Sequence, residues 1–401
     1  MLEALIKIAL LTGGLMTAAA YFVLLERRMA AWTQDRIGPN RVGIPLTNIR
    51  LWGLGQPLAD GLKFILKEEY TPAHVDKRLY TLAPLSILAT ALAIYAVIPF
   101  GSIIPPQLGP WKLADKPIEL VVAPGIDVGV IYAFALASIA IYGVILGGWA
   151  SNSKYSFLGG LRSSAQLIAY ELPMGLGILG VVLAAGSLNL STIIKAQADQ
   201  GWFAFAQPLG FVVFVVAAFA EAARLPFDLP EAEQELIGGY HTEYSGMKLI
   251  LYLIAEFMHM ITASFLIVIL FFGGWHFPLI TGDPNAESVS WFTAILRILV
   301  LQAKIFVVIL VFMWVRWSWP RFRYDQLLNL GWKIMLPLGL VNLVALAILY
   351  EARHWKDPSG LSFSWTVGII AASWLTFAVA WLVTAIANPL VTDNRPQAFE
   401  K

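Results

Sequence analysis

Between residues 221 and 244 the chain reads Glu-Ala-Ala-Arg-Leu-Pro-Phe-Asp-Leu-Pro-Glu-Ala-Glu-Gln-Glu-Leu-Ile-Gly-Gly-Tyr-His-Thr-Glu-Tyr, six acids set between two stretches long enough to cross a bilayer. Acids are scarce elsewhere. In a chain that is 58% hydrophobic and 13% charged, such a concentration adds nothing to membrane stability. The expectation is proton or ligand chemistry at a membrane surface. Four acids lie at or within apolar runs: Glu26, Glu171, Glu221 and Glu256. With Asp228, Glu231, Glu233, Glu235 and Glu243 they are expected to form a carboxylate trail from one surface toward the midplane. Buried carboxyls close together titrate as a coupled set and share protons near neutral pH, which is what a proton relay needs. A charge change nearby would shift the whole set, and each charge carried against 100 mV costs roughly 2.3 kcal/mol.

Plainer roles compete. Asp228-Leu-Pro-Glu231 fits a helix N-cap with Pro in the first turn and Glu at the capping-box position, so these two acids read equally as stabilisers of a helix start. On that helix Glu231 and Glu235 share a face while Glu233 points away. Glu171 and Glu256 have no capping role, and carboxylates within a membrane are functional by default. Arg297 and Lys304 lie inside another apolar run, as counter-ions for the acids or as lining of a water path; Lys304, nearer the middle, is the better candidate. The five His residues have no metal-ligand spacing, a lone His more often being a polar filler, and no metal is assigned. Trp and Tyr near helix ends read as interface anchors.

The elements that must hold these groups are membrane helices. With 15 Trp in 401 residues and a mean hydropathy of +0.71, the composition exceeds the apolar content of soluble domains. Apolar runs of spanning length occur near 2–25, 80–104, 126–149, 165–186, 206–224, 248–272, 290–314, 333–350 and 362–387. The fold class is therefore an all-α integral membrane protein with about nine transmembrane helices. The first run is longer than a signal-peptide core and is expected to be a retained helix. Basic residues concentrate between helices one and two and in alternate loops after that. The positive-inside rule then puts the N-terminus on the periplasmic side and the C-terminus in the cytoplasm. In the first inner loop Leu54, Leu58, Leu62, Ile65 and Leu66 recur at helical spacing opposite Gln56, Asp60, Lys63 and Lys67, an amphipathic helix in the interface or a simple surface anchor.

A net charge of +1 and the lack of a Lys/Arg-rich block set nucleic-acid binding aside. Cys is absent, which removes disulfides and thiolate ligation of zinc or an iron–sulfur cluster. Electron chemistry would have to sit on a partner chain. No internal repeat or low-complexity linker divides the chain.

Long motifs in one order then carry a resemblance: Leu25-Glu26-Arg27-Arg28, Gln34-Asp35-Arg36-Ile37-Gly38-Pro39-Asn40-Arg41-Val42-Gly43 and Gln56-Pro57-Leu58-Ala59-Asp60-Gly61-Leu62-Lys63. They continue through Gly148-Trp149-Ala150-Ser151-Asn152-Ser153-Lys154-Tyr155, Leu161-Arg162 to Tyr170-Glu171, the acid loop, and Arg321-Phe322-Arg323-Tyr324-Asp325-Gln326. The chain resembles the H-subunit family of respiratory complex I over about its first 350 residues. The resemblance implies a bacterial inner-membrane core, 1–351, of eight helices that forms the floor and entrance of a quinone chamber. An additional C-terminal helix and tail, 352–401, would pack laterally against a neighbour. It also implies ubiquinone or menaquinone as substrate. The implied partners are peripheral iron–sulfur and quinone-site subunits together with small and antiporter-like membrane subunits. By the family pattern Glu26, Arg27, Arg36, Asp60 and Lys63 line or brace the chamber. Glu171, Glu221, Asp228, Glu231, Glu233, Glu235, Glu243 and Glu256 begin the proton path. The stretch Ile44 to Trp52 is longer than the family pattern, and Gly55 replaces a usual Leu.

The chain is not a catalyst alone. A sister complex fed by ferredoxin or coenzyme F420, or a membrane-bound hydrogenase, carries similar motifs. A secondary ion transporter also needs intramembrane acids, but it would have broken helices and inverted symmetry between halves, and neither is visible. A passive scaffold would tolerate Glu171→Gln or Glu256→Gln.

Overall fold

The computed structural model describes residues 2–43, 47, 52–108, 111–112, 117–229, 237–284, 286, 289–356 and 363–387. Glu231, Glu233, Glu235 and most of the 44–52 stretch lie outside the described residues.

The chain folds as helices, in order α1 (Leu2–Thr33), α2 (Gln56–Leu66), α3 (Lys77–Ala93), α4 (Gly129–Ala150), α5 (Lys154–Ala185), α6 (Leu190–Gln200), α7 (Phe203–Ala206), α8 (Pro208–Glu221), α9 (Gly246–Phe271), α10 (Trp291–Ser318), α11 (Tyr324–Asn329), α12 (Leu336–Lys356) and α13 (Phe363–Ala387). Local chemistry sets several ends. The Asp76 carboxylate caps α3 by accepting from the amides of Arg78 and Leu79 at 3.0 and 3.4 Å. Asn189 caps α6 through Ser191 N at 2.9 Å. Gly186, at φ +66°, ends α5 in the left-handed conformation that favours glycine.

Among the described residues eight helices are long and apolar enough to cross a membrane, so the chain is an all-α membrane protein. The expected run at 206–224 is the exception. Its helix, α8, has 14 residues, about 21 Å of rise against a hydrocarbon core of about 30 Å. Pro208 starts it abruptly after the short α7. Three features were not foreseen: α6, two two-residue hairpins pairing Ile103–Ile104 with Ile118–Glu119 and Gln107–Leu108 with Trp111–Lys112, and a π-helical turn at Leu330–Met335 between α11 and α12.

In α9, 78% of the apolar window is buried, against 11% in α13. α9 is thus the centre of the bundle, and α13 is its rim. α13 rests on the α7–α8 side, where the Trp374 indole donates to Phe205 O at 3.0 Å. Arg224, Arg316 and Arg321 gather at one end of the bundle, its basic end.

Candidate functional site

At the basic end one guanidinium holds two acids from different helices. Arg224, 3% exposed, follows α8; its Nη1 lies 3.1 Å from Glu26 Oε2 on α1, and its Nε lies 3.1 Å from Glu256 Oε1 on α9. Its plane also stacks over Phe257, 4.3 Å from the ring centroid. Glu26 takes a second cation, Arg316 of α10. Asp228 pairs with Arg321 at 3.2 Å. Three acids and three arginines therefore neutralise one another where desolvation would make a lone charge costly. Burial pushes the Asp228 carboxyl up to about 6; Arg321 opposes that rise and Glu256 adds to it.

The loop carrying Arg224 and Asp228 is pinned by side chains that the sequence did not single out. The buried Gln166 amide donates to Ala220 O at 2.9 Å and to Phe227 O at 2.8 Å. Phe322 N donates to Pro226 O at 3.1 Å, and the Leu225–Pro226 bond is cis. Phe227 packs edge-on against Tyr170, 5.5 Å between centroids.

Glu256 also faces a cavity of about 70 Å³, lined with Glu171, Glu221, His259, Tyr240, Tyr252 and Ser163. That volume holds at least two waters and has polar partners for them. Ser138 of α4 donates to Glu171. Two glycines give the tyrosines their places. A Cβ on Gly147 would come 2.1 Å from the Tyr252 hydroxyl, and one on Gly159 would come 2.6 Å from the backbone of Gly239 and Tyr240. Outside the helices, burial pushes the Tyr244 hydroxyl up to about 12, so it stays a neutral donor.

The structure thus gathers Glu171, Glu221 and Glu256 in one cavity and ties Glu256 to Glu26. Glu243 lies off this set, and its backbone carbonyl accepts from Tyr80 Oη at 2.6 Å. Lys304 is at the opposite end: its ammonium donates to the carbonyls of Phe272, Gly274 and His276 at 2.7, 3.0 and 2.7 Å. It caps the turn that follows α9, binding carbonyls beyond the helix end, and does not meet the carboxylates. Arg297, expected as counter-ion or pore lining, instead binds Thr281 O at 3.1 Å, Asp283 O at 2.7 Å and Ser102 Oγ at 2.8 Å. It staples loops at that same end. These two cations and burial push the His276 imidazole down, burial being the largest cause.

Of the residues the resemblance assigned to the chamber, Glu26 is buried within the arginine pair. Arg27 and Asp60 meet at 2.7 Å and join α1 to α2, with Gln56 donating to Asp60 at 3.0 Å. Arg36 is exposed and bonds Gln34; Lys63 is exposed. None of the residues of α2 is buried, and Leu58, Leu62, Ile65 and Leu66 are 71, 51, 61 and 82% exposed. That apolar face must meet lipid or another chain. The described residues contain no group of His, Asp and Glu able to hold a metal.

Sequence reasoning missed Arg224, Arg316 and Arg321 as partners of the acids, and His259, Tyr240 and Tyr252 as cavity walls.

Comparison with known proteins places the chain in a family. A family model described as NADH dehydrogenase matches residues 6–347, which leaves α13 outside the match. NADH-quinone oxidoreductase subunit 8 of Rhodothermus marinus is 46% identical over 353 residues, 86% of this chain and 96% of that protein. An NADH-quinone oxidoreductase H-type subunit of Cytophaga hutchinsonii is 47% identical over 327 residues, 81% and 90% of the two chains. Its H-type counterpart in Salinibacter ruber is 46% identical over 347 residues, 84% and 93%. With the matched segment holding Glu26, Arg224 and every cavity acid, the chain belongs to the NADH dehydrogenase family.

Proposed function

We propose that this chain is the membrane subunit of a proton-translocating NADH:quinone oxidoreductase, where it helps form the quinone chamber and passes the consequence of quinone reduction to a set of buried carboxylates. The relatives' names support membership of such a complex. The proposed partners are peripheral subunits that supply electrons and neighbouring membrane subunits that receive the coupling. The observation that carries the finer reading is Arg224, shared by Glu26 on the chamber side and Glu256 on the cavity side.

A quinone has an isoprenoid tail that enters from lipid and a head that takes two electrons and two protons. The exposed apolar face of α2 offers a wall for the tail. The Arg27–Asp60 pair at its edge, with Arg36 and Lys63 nearby in sequence, offers charge for the head. Glu26 stands behind this edge, so a proton or charge change in the chamber alters how Arg224 divides its field between Glu26 and Glu256. Glu256 opens onto the cavity with Glu171 and Glu221, where water carries protons between carboxyls. Lys304 has no part in this reading. Glu231, Glu233, Glu235 and Glu243, from the same acid-rich segment of the sequence, are proposed as further members. The basic end faces the cytoplasm of a bacterial inner membrane, and residues 352–401 add a peripheral helix to the 1–351 core.

The test is the assembled complex in liposomes with Glu171→Gln or Glu256→Gln, measuring NADH-driven quinone reduction and proton translocation together. Loss of translocation in both variants is expected. Normal translocation in both would overturn the reading and leave a scaffold.

A further inference from the structure

The buried acids have a neighbour that the proposed relay does not yet use. His259 lies one turn after Glu256 on α9, so the two side chains share a helix face. It lines the cavity of about 70 Å³ and also a smaller one of about 10 Å³, and Glu221 is the other polar residue common to both. The smaller cavity reaches Thr262, whose hydroxyl meets Met258 O at 2.9 Å and the buried Tyr95 hydroxyl at 3.0 Å.

Neither the His259 ring nor the Glu221 carboxyl is hydrogen-bonded to another described residue. A histidine kept only as filler satisfies its ring nitrogens on protein, because an unpartnered buried polar group costs about 1–3 kcal/mol. Here the two groups line the same two spaces, and the larger has room for water to partner them. The titratable groups around the imidazole are Glu171 from α5, Glu221 from α8, Glu256 and Tyr252 from α9, and Tyr240 from the preceding loop, with Arg224 behind Glu256. The α3 and α4 side chains in these cavities are apolar.

We propose that His259 is a proton-carrying member of the acid set and joins the two cavities. A proton on the Glu256 carboxyl passes through water to one ring nitrogen, leaving carboxylate and imidazolium. The other ring N–H then gives its proton to the Glu221 carboxylate, which lines both cavities, and the ring is neutral again. Imidazole suits this because it has a donor and an acceptor on opposite edges. The assignment rests on the carboxylate relay proposed above and adds to it a residue that the family comparison does not supply.

The test uses the assembled complex in liposomes carrying His259→Asn or His259→Gln, with Glu221→Gln as comparator, and reads proton translocation, quinone reduction and their pH profiles. Both His259 variants keep a polar side chain but cannot be protonated near neutral pH. Translocation in both is expected to fall by about 100-fold, the lower end of what a positioned acid–base group contributes. Wild-type translocation and pH profile in either His259 variant, with Glu221→Gln defective, would overturn the role of His259 alone. Normal translocation in all three would overturn the relay itself.

Discussion

Glu26 and Glu256 share one guanidinium: Arg224 reaches each at 3.1 Å from a position in neither of their helices. A charge so placed ties three helices together and, in the proposed function, links the two acids electrostatically. Replacing Arg224 by Met leaves two buried carboxylates short of a cation, which costs about 3–5 kcal/mol. The assembled complex is expected to lose its membrane arm at a lower temperature, read by thermal inactivation. Arg224→Lys keeps the charge but not the fork that spans two acids. It is expected to recover part of the stability while coupling stays impaired.

Tyr252 is held over Gly147 with no room for a methyl group, since a Cβ there would lie 2.1 Å from the hydroxyl. Gly147→Ala is expected to cost about 1–3 kcal/mol as an overpacked core and to displace one wall of the acid cavity. Gly147→Ala combined with Tyr252→Phe relieves the clash. If thermal inactivation of the double variant is no better than that of Gly147→Ala, the contact is not what limits that position.

Asp228 gives a pH dependence with a definite sign. Its carboxyl stands at about 6, above the ordinary 3.8, because burial outweighs the pull of Arg321. A raised carboxyl disfavours the ionised native state, so its contribution is fully present below 3.8 and is lost as pH rises through 6. The full span is worth about 3 kcal/mol. Compared at matched pH, wild type is expected to lose thermal stability relative to Asp228→Asn between pH 4 and 7. A constant difference across that window would mean that Asp228 titrates normally.

The apolar runs made the long helices legible because nothing else holds that many consecutive apolar residues. α6 escaped because its buried face is only Leu190, Ile193, Ile194 and Gln197, too short to stand out from a polar loop. The acids were legible by rarity. Their partners were not, since Arg224 and Arg316 meet Glu26 across 198 and 290 residues and no spacing rule reaches so far. The partners of Lys304 were not legible for a related reason: its middle position in α10 suggested the middle of the membrane, whereas carbonyls of the turn after α9 hold its ammonium.

That capping role makes Lys304 a useful contrast. Lys304→Met leaves three carbonyls without their cation, and a charged hydrogen bond is worth about 1.5–3 kcal/mol. The complex is expected to inactivate at lower temperature while protons translocated per quinone reduced stay unchanged. A fall in that ratio at full assembly would return Lys304 to the proton path.

Arg27 and Asp60 allow function to be separated from stability at the proposed chamber edge. Their side chains are 50 and 28% exposed at 2.7 Å, and an exposed pair of this kind contributes at most about 1 kcal/mol. Arg27→Ala is therefore expected to leave thermal inactivation almost unmoved. If the pair braces α2 beside the quinone head, the same variant raises the KM for a short-chain quinone, because α2 has no buried residue of its own to fix it. Asp60→Ala should give a similar rise, and the double variant should add little beyond either single change, as coupled partners do. Additive effects on KM would mean that the two residues touch the substrate separately and that their salt bridge is incidental.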